Sequence, residues 1–425
     1  MFHVEPPRRC FTWNQASGSL KAWACENPRL PASMISLARY VSLLAFPDLR
    51  ATFLASLIGR LPIGITGLSV LLLAQSRTGS FAIAGTTTAC YVAGLGALAP
   101  ALGRLIDRNG PRQVLFACAL LYPLSLAALV ASISLDAPLW TSLALAAVAG
   151  AAFPPITACM RTFLKQRLDD ASLIATAYSL ESVLIETVFI VGPMLVAFFV
   201  AASSPRTAVL FAAGCGAAGT LMFLRSPGLR RWVVQSRPTH GLFGPLSAPG
   251  FLLLLGIVTT YSIAFGLVEI GVTGFASASG SPALAGLLLG LMSVGSVAGG
   301  LAYGSRGWHL PLARQFALAL ALMAAGILPL AFVPTVWVFA GLSMLAGVVM
   351  APALTMQSML VAKTAPAESL AEAFTWSATA LLAGVGLGFT LGGVLLEATG
   401  AATVLLIAAT ASLAASAGAY LCLES

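Results

Sequence analysis

The chain has 425 residues, of which 59% are hydrophobic and 8% charged, with a formal charge of +8 and a mean hydropathy of +0.95. A soluble domain carries about 25% charged residues, so this composition excludes a soluble globular protein and places the chain in lipid. The positive balance does not indicate nucleic acid, because a binding face needs clustered basic side chains and in this chain they punctuate hydrophobic runs.

Residues 1–33 are polar and lack the apolar core of a signal peptide. They open a cytoplasmic N-terminal segment, 1–48, with no evident fold, in which Met34 is a candidate for the authentic start. Residues 34–47 either lead into the first span or form an amphipathic cytoplasmic segment. A spanning helix needs roughly 20 apolar residues, and hydropathy predicts twelve: 50–75, 81–102, 112–133, 138–160, 172–201, 207–224, 250–275, 283–304, 313–333, 335–358, 370–396 and 401–422. They group into an N-terminal six-helix bundle (49–224), a cytoplasmic linker (225–248) broken by Pro227, Gly228, Pro238, Gly241, Gly244 and Pro245, and a C-terminal bundle (249–425).

Four ionisable residues fall inside these spans: Arg60 in the first, Glu181 and Glu186 in the fifth and Glu269 in the seventh. Each costs roughly 2.5–3.5 kcal/mol at a helix centre, so pairing, protonation or a wet cavity is expected. At 1.5 Å per residue, Arg60 and Glu181 both lie roughly 14 to 15 Å deep. They can pair if their helices are neighbours, either as a static packing contact or as part of the transport machinery. Glu186, about 140° further round its helix, is the first candidate for a carboxyl that exchanges protons. Glu269, nearer the opposite end, is a candidate substrate ligand or outer gate, or it snorkels into water. Tyr178 and Trp376 read as interfacial anchors.

Short loops rich in arginine and lysine stay cytoplasmic. One set of alternate loops carries Arg50, Arg104, Arg108, Arg112, Arg161, Lys165, Arg167, Arg225, Arg306, Arg314 and Lys363, and the other only Arg77 and Arg206. Both termini are therefore expected in the cytoplasm of a multi-pass inner-membrane protein. Arginine outnumbers lysine 19 to 3, which fits a GC-rich bacterial genome.

The halves repeat. Ala149-Gly150 with Pro155 recurs 197 residues later as Ala346-Gly347 with Pro352, and Ala175-Thr176-Ala177-Tyr178-Ser179 recurs 196 residues later as Ala371-Glu372-Ala373-Phe374-Thr375. The same 196-residue step carries Gly192 onto Gly388. Agreement within one residue argues for duplication, as in parallel-repeat transporters.

The stretch from Gly103 to Arg112 carries a pattern of Gly103, Asp107, Arg108, Gly110 and Arg112 between the second and third spans. It resembles the signature loop of the major facilitator superfamily, and Gly300, Gly304, Ser305 and Arg306 look like a decayed copy with Gly304 in the acidic place. Gly192-Pro193 resembles the Gly-Pro element of the superfamily's exporters. The arginine that proton-coupled members often carry before the glycines of the fourth helix is absent around Leu145–Gly150.

The resemblance implies an all-α membrane protein of twelve transmembrane helices in two pseudo-symmetric six-helix bundles. It also implies that Asp107 latches the outward-facing state by accepting hydrogen bonds from the eleventh helix near residues 368–373; a loop that only sets topology is the alternative. Gly286, Gly290, Gly295 and Gly299, with Gly384, Gly388 and Gly392, would be smooth surfaces facing the opposite bundle, or plain packing positions.

The function expected is secondary transport of a small organic solute by alternating access, as proton-linked efflux of a drug or metabolite by a monomer. A nutrient symporter or uniporter is the alternative, and a non-transporting sensor a remoter one. No Gly-x-x-x-x-Gly-Lys-Ser/Thr run occurs, so ATP hydrolysis by the chain is not expected. Neither enzymatic activity nor a cofactor is expected, and the scattered cysteines and His3, His240 and His309 suggest no metal site.

Overall fold

The computed structural model describes residues 12–14, 19–21, 38–229, 232–233, 244–280 and 284–423. Met34, His3, His240, Cys10, Cys25, Arg8, Arg9 and Arg29, together with Arg230, Arg231 and Arg237 of the linker, lie outside the described residues. Two short strands, β1 (Thr12–Asn14) and β2 (Ser19–Lys21), pair antiparallel with Trp13 opposite Leu20. The polar N-terminal stretch thus holds a short antiparallel strand pair that its sequence does not announce.

Twelve helical spans follow, each long and apolar enough to cross a bilayer. In the first half, α1 (Ala38–Leu44) is a short lead-in, and α2 (Pro47–Thr78), α3 (Phe81–Asn109) and α4 (Pro111–Ser134) are single helices. The fourth span is split into α5 (Leu139–Ala151) and α6 (Ile156–Arg167), and α7 (Ala171–Ala202) and α8 (Pro205–Arg225) complete the bundle. The second half repeats the plan with α9 (Pro249–Ala278), α10 (Leu284–Gly304), α11 (Leu312–Ile327), a split tenth span of α12 (Val336–Gly347) and α13 (Met350–Thr364), then α14 (Leu370–Thr399) and α15 (Ala401–Cys422).

The punctuation is local chemistry. Pro47, Pro111, Pro205 and Pro249 occupy first helical positions, where a missing N–H costs nothing. Gly110, with φ of 80°, closes α3 and opens α4 in a conformation that excludes most side chains. Pro154 and Pro155 lack donors, which accounts for the break between α5 and α6.

The two bundles are built by the same contacts. A Cβ on Gly94 would strike the carbonyl of Ala147, and one on Gly295 that of Met344. Gly150 lies against the carbonyl of Tyr91, and Gly347 against that of Met292. Gly192 meets Gly64 where α7 crosses α2, and Gly388 meets Gly266 where α14 crosses α9. These three crossings of the first half therefore recur about 200 residues later, with glycine where the backbones touch.

Five of the stripe glycines do not face the opposite bundle, while Gly286 and Gly290 have open space around them. Gly295 and Gly299 pack on Met344 and Val348, and Gly384, Gly388 and Gly392 on α9, all within the C-terminal half. Four-residue spacing marks a face but not its partner. Tyr178 is fully buried, so it is no interfacial anchor. The exposed aromatic residues Trp140 (70%) and Trp337 (82%) stand instead at the starts of α5 and α12, 197 residues apart, places that suit interfacial anchors.

Candidate functional site

One face of the molecule, where α3 ends and α14 begins, joins the bundles. The first amides of a helix have no partner within it, and the dipole there favours an anion. Asp107, 9% exposed, takes this position: Oδ1 accepts from the Ala371 N–H at 3.0 Å and Oδ2 from that of Glu372 at 2.8 Å. Gly103 permits the approach, because a Cβ there would run into Ala371, Glu372 and Thr375.

Arg104 adds a bidentate pair to the Glu372 carboxylate at 3.0 and 2.6 Å. Arg108 and Arg112 are exposed. Sequence reasoning passed over Arg104 as one more loop arginine, although it sits within the signature stretch.

The internal repeat places Gly304 where the first half has Asp107. Without a carboxylate, the contact is made by backbone: the Thr176 hydroxyl donates to the Gly304 carbonyl at 2.7 Å, and Ser179 donates to that of Gly300. A Cβ at 304 would collide with Tyr40 and Ser179. Tyr40, from α1, also donates to the Leu301 carbonyl at 3.0 Å, tying the lead-in helix to the second bundle.

Deeper in the first bundle, Arg60 and Glu181 are 1% and 0% exposed. Arg60 Nη2 lies 2.6 Å from Glu181 Oε1. The other carboxylate oxygen receives Arg161 Nε at 2.9 Å, making a triad. Arg161, assigned from sequence to a surface loop, is buried (8%); hydropathy ends the fourth span at 160, whereas α6 carries the helical path on to Arg167. Its guanidinium also lies 5.9 Å from the Phe374 ring of the second bundle, and Tyr178 donates to its carbonyl.

The second bundle has a neutral counterpart. At the repeat positions of Arg161 and Glu181 stand Gln357 and Ser377, bonded at 2.7 Å, and Tyr261 donates to the Gln357 side-chain oxygen.

Glu186 crosses between bundles near mid-span and does not join the triad. It accepts from Ser296 of α10 at 3.0 Å, and Ser296 in turn accepts from the Ala351 N–H at 3.0 Å. Ala351 is in the first turn of α13, just after the break in the tenth span, so a serine links a carboxylate to a half-helix N-terminus. One turn towards the Asp107 face, Thr355 donates to Ser182. Thr379 bonds to the Gly96 carbonyl at 2.9 Å. Glu269 is exposed on α9, and no described contact brings it to the other three ionisable residues.

Gly192 serves the α2–α7 crossing, and Pro193 follows it within α7. Among the described residues no group of three His, Cys, Asp or Glu side chains is gathered to hold a metal ion. Together these cross-bundle hydrogen bonds run from the Asp107 face to mid-span.

Two like bundles of six spans, fastened across one face and linked by polar side chains at mid-depth, define a polytopic membrane protein of the transporter type. Residues 52–279 match the Major Facilitator Superfamily, and the chain belongs to that family. No curated protein matches it significantly.

Similar solved structures include the human organic anion transporter MFSD10 (TM-score 0.70, 15% identity, covering 87% of this chain and 98% of that one). Another is a bacterial homologue of the iron transporter ferroportin in its outward-facing state (0.74, 14%, 88% and 99%). A third is the Escherichia coli fucose:proton symporter (0.65, 12%, 89% and 99%). At these identities the likeness is one of fold.

Proposed function

We propose that the chain is a secondary transporter that moves a small organic solute by alternating access, exporting a drug or metabolite in exchange for protons. The observation that carries this reading is the one-sided fastening. Asp107, Arg104 and Gly103 clamp α14 on one face, and among the described residues the cross-bundle bonds reach only as far as Glu186 and Thr379 at mid-depth. With the arginine-rich loops in the cytoplasm, this is an outward-facing arrangement whose latch must open for the inward-facing one.

Glu186 supports proton coupling, since it is a carboxylate at mid-span whose one hydrogen-bond chain joins both bundles. The Gly192-Pro193 element and the arginine-rich composition, which fits a bacterial genome, support export from the cytoplasm across an inner membrane, by a single chain. Uptake is favoured by one observation, the likeness in fold to a fucose:proton symporter.

A host with the gene deleted and overexpressed, screened for tolerance to drugs and metabolites, tests the reading. Export predicts lower tolerance on deletion and higher tolerance on overexpression, with the gain removed by Asp107→Asn. Sensitisation by overexpression would favour uptake, and no change with any compound would count against transport of such solutes.

A further inference from the structure

The triad in the first bundle is electrically unfinished. Arg60 and Arg161 share the single carboxylate of Glu181, so the cluster carries one excess positive charge. Arg60 Nε and Nη1, which bear most of its N–H groups, are buried without a partner.

The other buried acids are engaged elsewhere, Asp107 with the α14 amides, Glu372 with Arg104 and Asp48 with Arg167, and Glu186 accepts from Ser296. A water molecule would satisfy the N–H groups but not the charge. An uncompensated guanidinium in a dry interior is costly, and an anion corrects both deficits.

Resting on the transport reading above, we propose that Arg60 binds the anionic group of the transported solute, and that the solute is an organic monoanion such as a carboxylate. One negative charge completes the triad. The repeat-related positions of the second bundle limit the ligand further: Gln357, Ser377 and Tyr261 are neutral, bonded to one another, and add no second cation. The solute therefore has one charged end, held by the first bundle, and a neutral body against the second. In the outward-facing form the guanidinium is sealed, so the ligand reaches it as the bundles move.

The test uses the full chain in lipid nanodiscs at constant ionic strength, with benzoate, its neutral isostere benzamide and chloride as probes. Binding is read from tryptophan fluorescence and the thermal midpoint. Benzoate should give a saturable rise in the midpoint and benzamide none. Arg60→Gln should abolish the response, and Arg60→Lys, which keeps the charge but not the extra N–H groups, should weaken it roughly tenfold or more.

Response to chloride but not benzoate would assign the site to a resident inorganic ion and overturn its assignment to the solute. Equal responses to benzoate and benzamide, or responses that survive Arg60→Gln, would overturn the site itself. Benzoate binding that depends on Arg60 without flux in proteoliposomes would leave the anion site standing while the transport reading fails.

Discussion

Asp107 and Glu372 form a two-way junction between the bundles. The Glu372 N–H donates to the Asp107 carboxylate at 2.8 Å while the Glu372 carboxylate holds Arg104, one turn back along the same helix as Asp107. Acid caps helix and base grips acid at a single crossing, so separating α3 from α14 breaks both at once.

The triad predicts an asymmetric response to mutation. Glu181→Ala leaves two guanidiniums unscreened and should cost about 3–5 kcal/mol, read as a fall in the thermal midpoint. Adding Arg161→Gln should recover part of the loss. Exchanging the charges, Arg60→Glu with Glu181→Arg, should fail to restore expression because the new arginine would confront Arg161. Full recovery by that exchange would show that Arg161 is not a partner.

For Glu186, the expectation concerns energy coupling. In proteoliposomes Glu186→Gln should abolish flux driven by a pH gradient and leave solute exchange intact, since the serine chain to α13 can still form without a titrating group. Undiminished driven flux would remove Glu186 from proton coupling.

The duplicated packing is testable by paired substitutions. Gly150→Leu and Gly347→Leu press on equivalent carbonyls, those of Tyr91 and Met292. Each should destabilise by about 1–3 kcal/mol or more through overpacking, measured as comparable drops in midpoint. A large drop for one and none for the other would mean that the two crossings are not equivalent.

Much of this was legible in the chain itself. Hydropathy marks the twelve spans because lipid demands apolar segments that satisfy their own backbone groups, and the resemblance carried by the Gly103–Arg112 pattern points to the α3–α14 contact. Arg161 was not legible: a hydropathy window cannot tell a basic residue at the membrane surface from one carried inward by a helix restarted after Pro154 and Pro155. Nor was the direction of the glycine stripes, since spacing along one helix is silent about its neighbour. The Ser296 link to Glu186 depends on α10 meeting α7 near the helix break, a three-dimensional coincidence with no local motif.

Opening of the Asp107 latch as the opposite face closes is read by a pair of spin-label distances, measured with native cysteines replaced. One pair, Arg108→Cys with Lys363→Cys, spans the Asp107 face. The other, Arg77→Cys with Ser279→Cys, spans the opposite face. Asp107→Asn removes charge-assisted bonds of about 1.5–3 kcal/mol each and should shift the equilibrium at least roughly tenfold. With the latch broken, the distance on the Asp107 face lengthens while that on the other shortens. Two distances that stay fixed, or that change in the same direction, would contradict it.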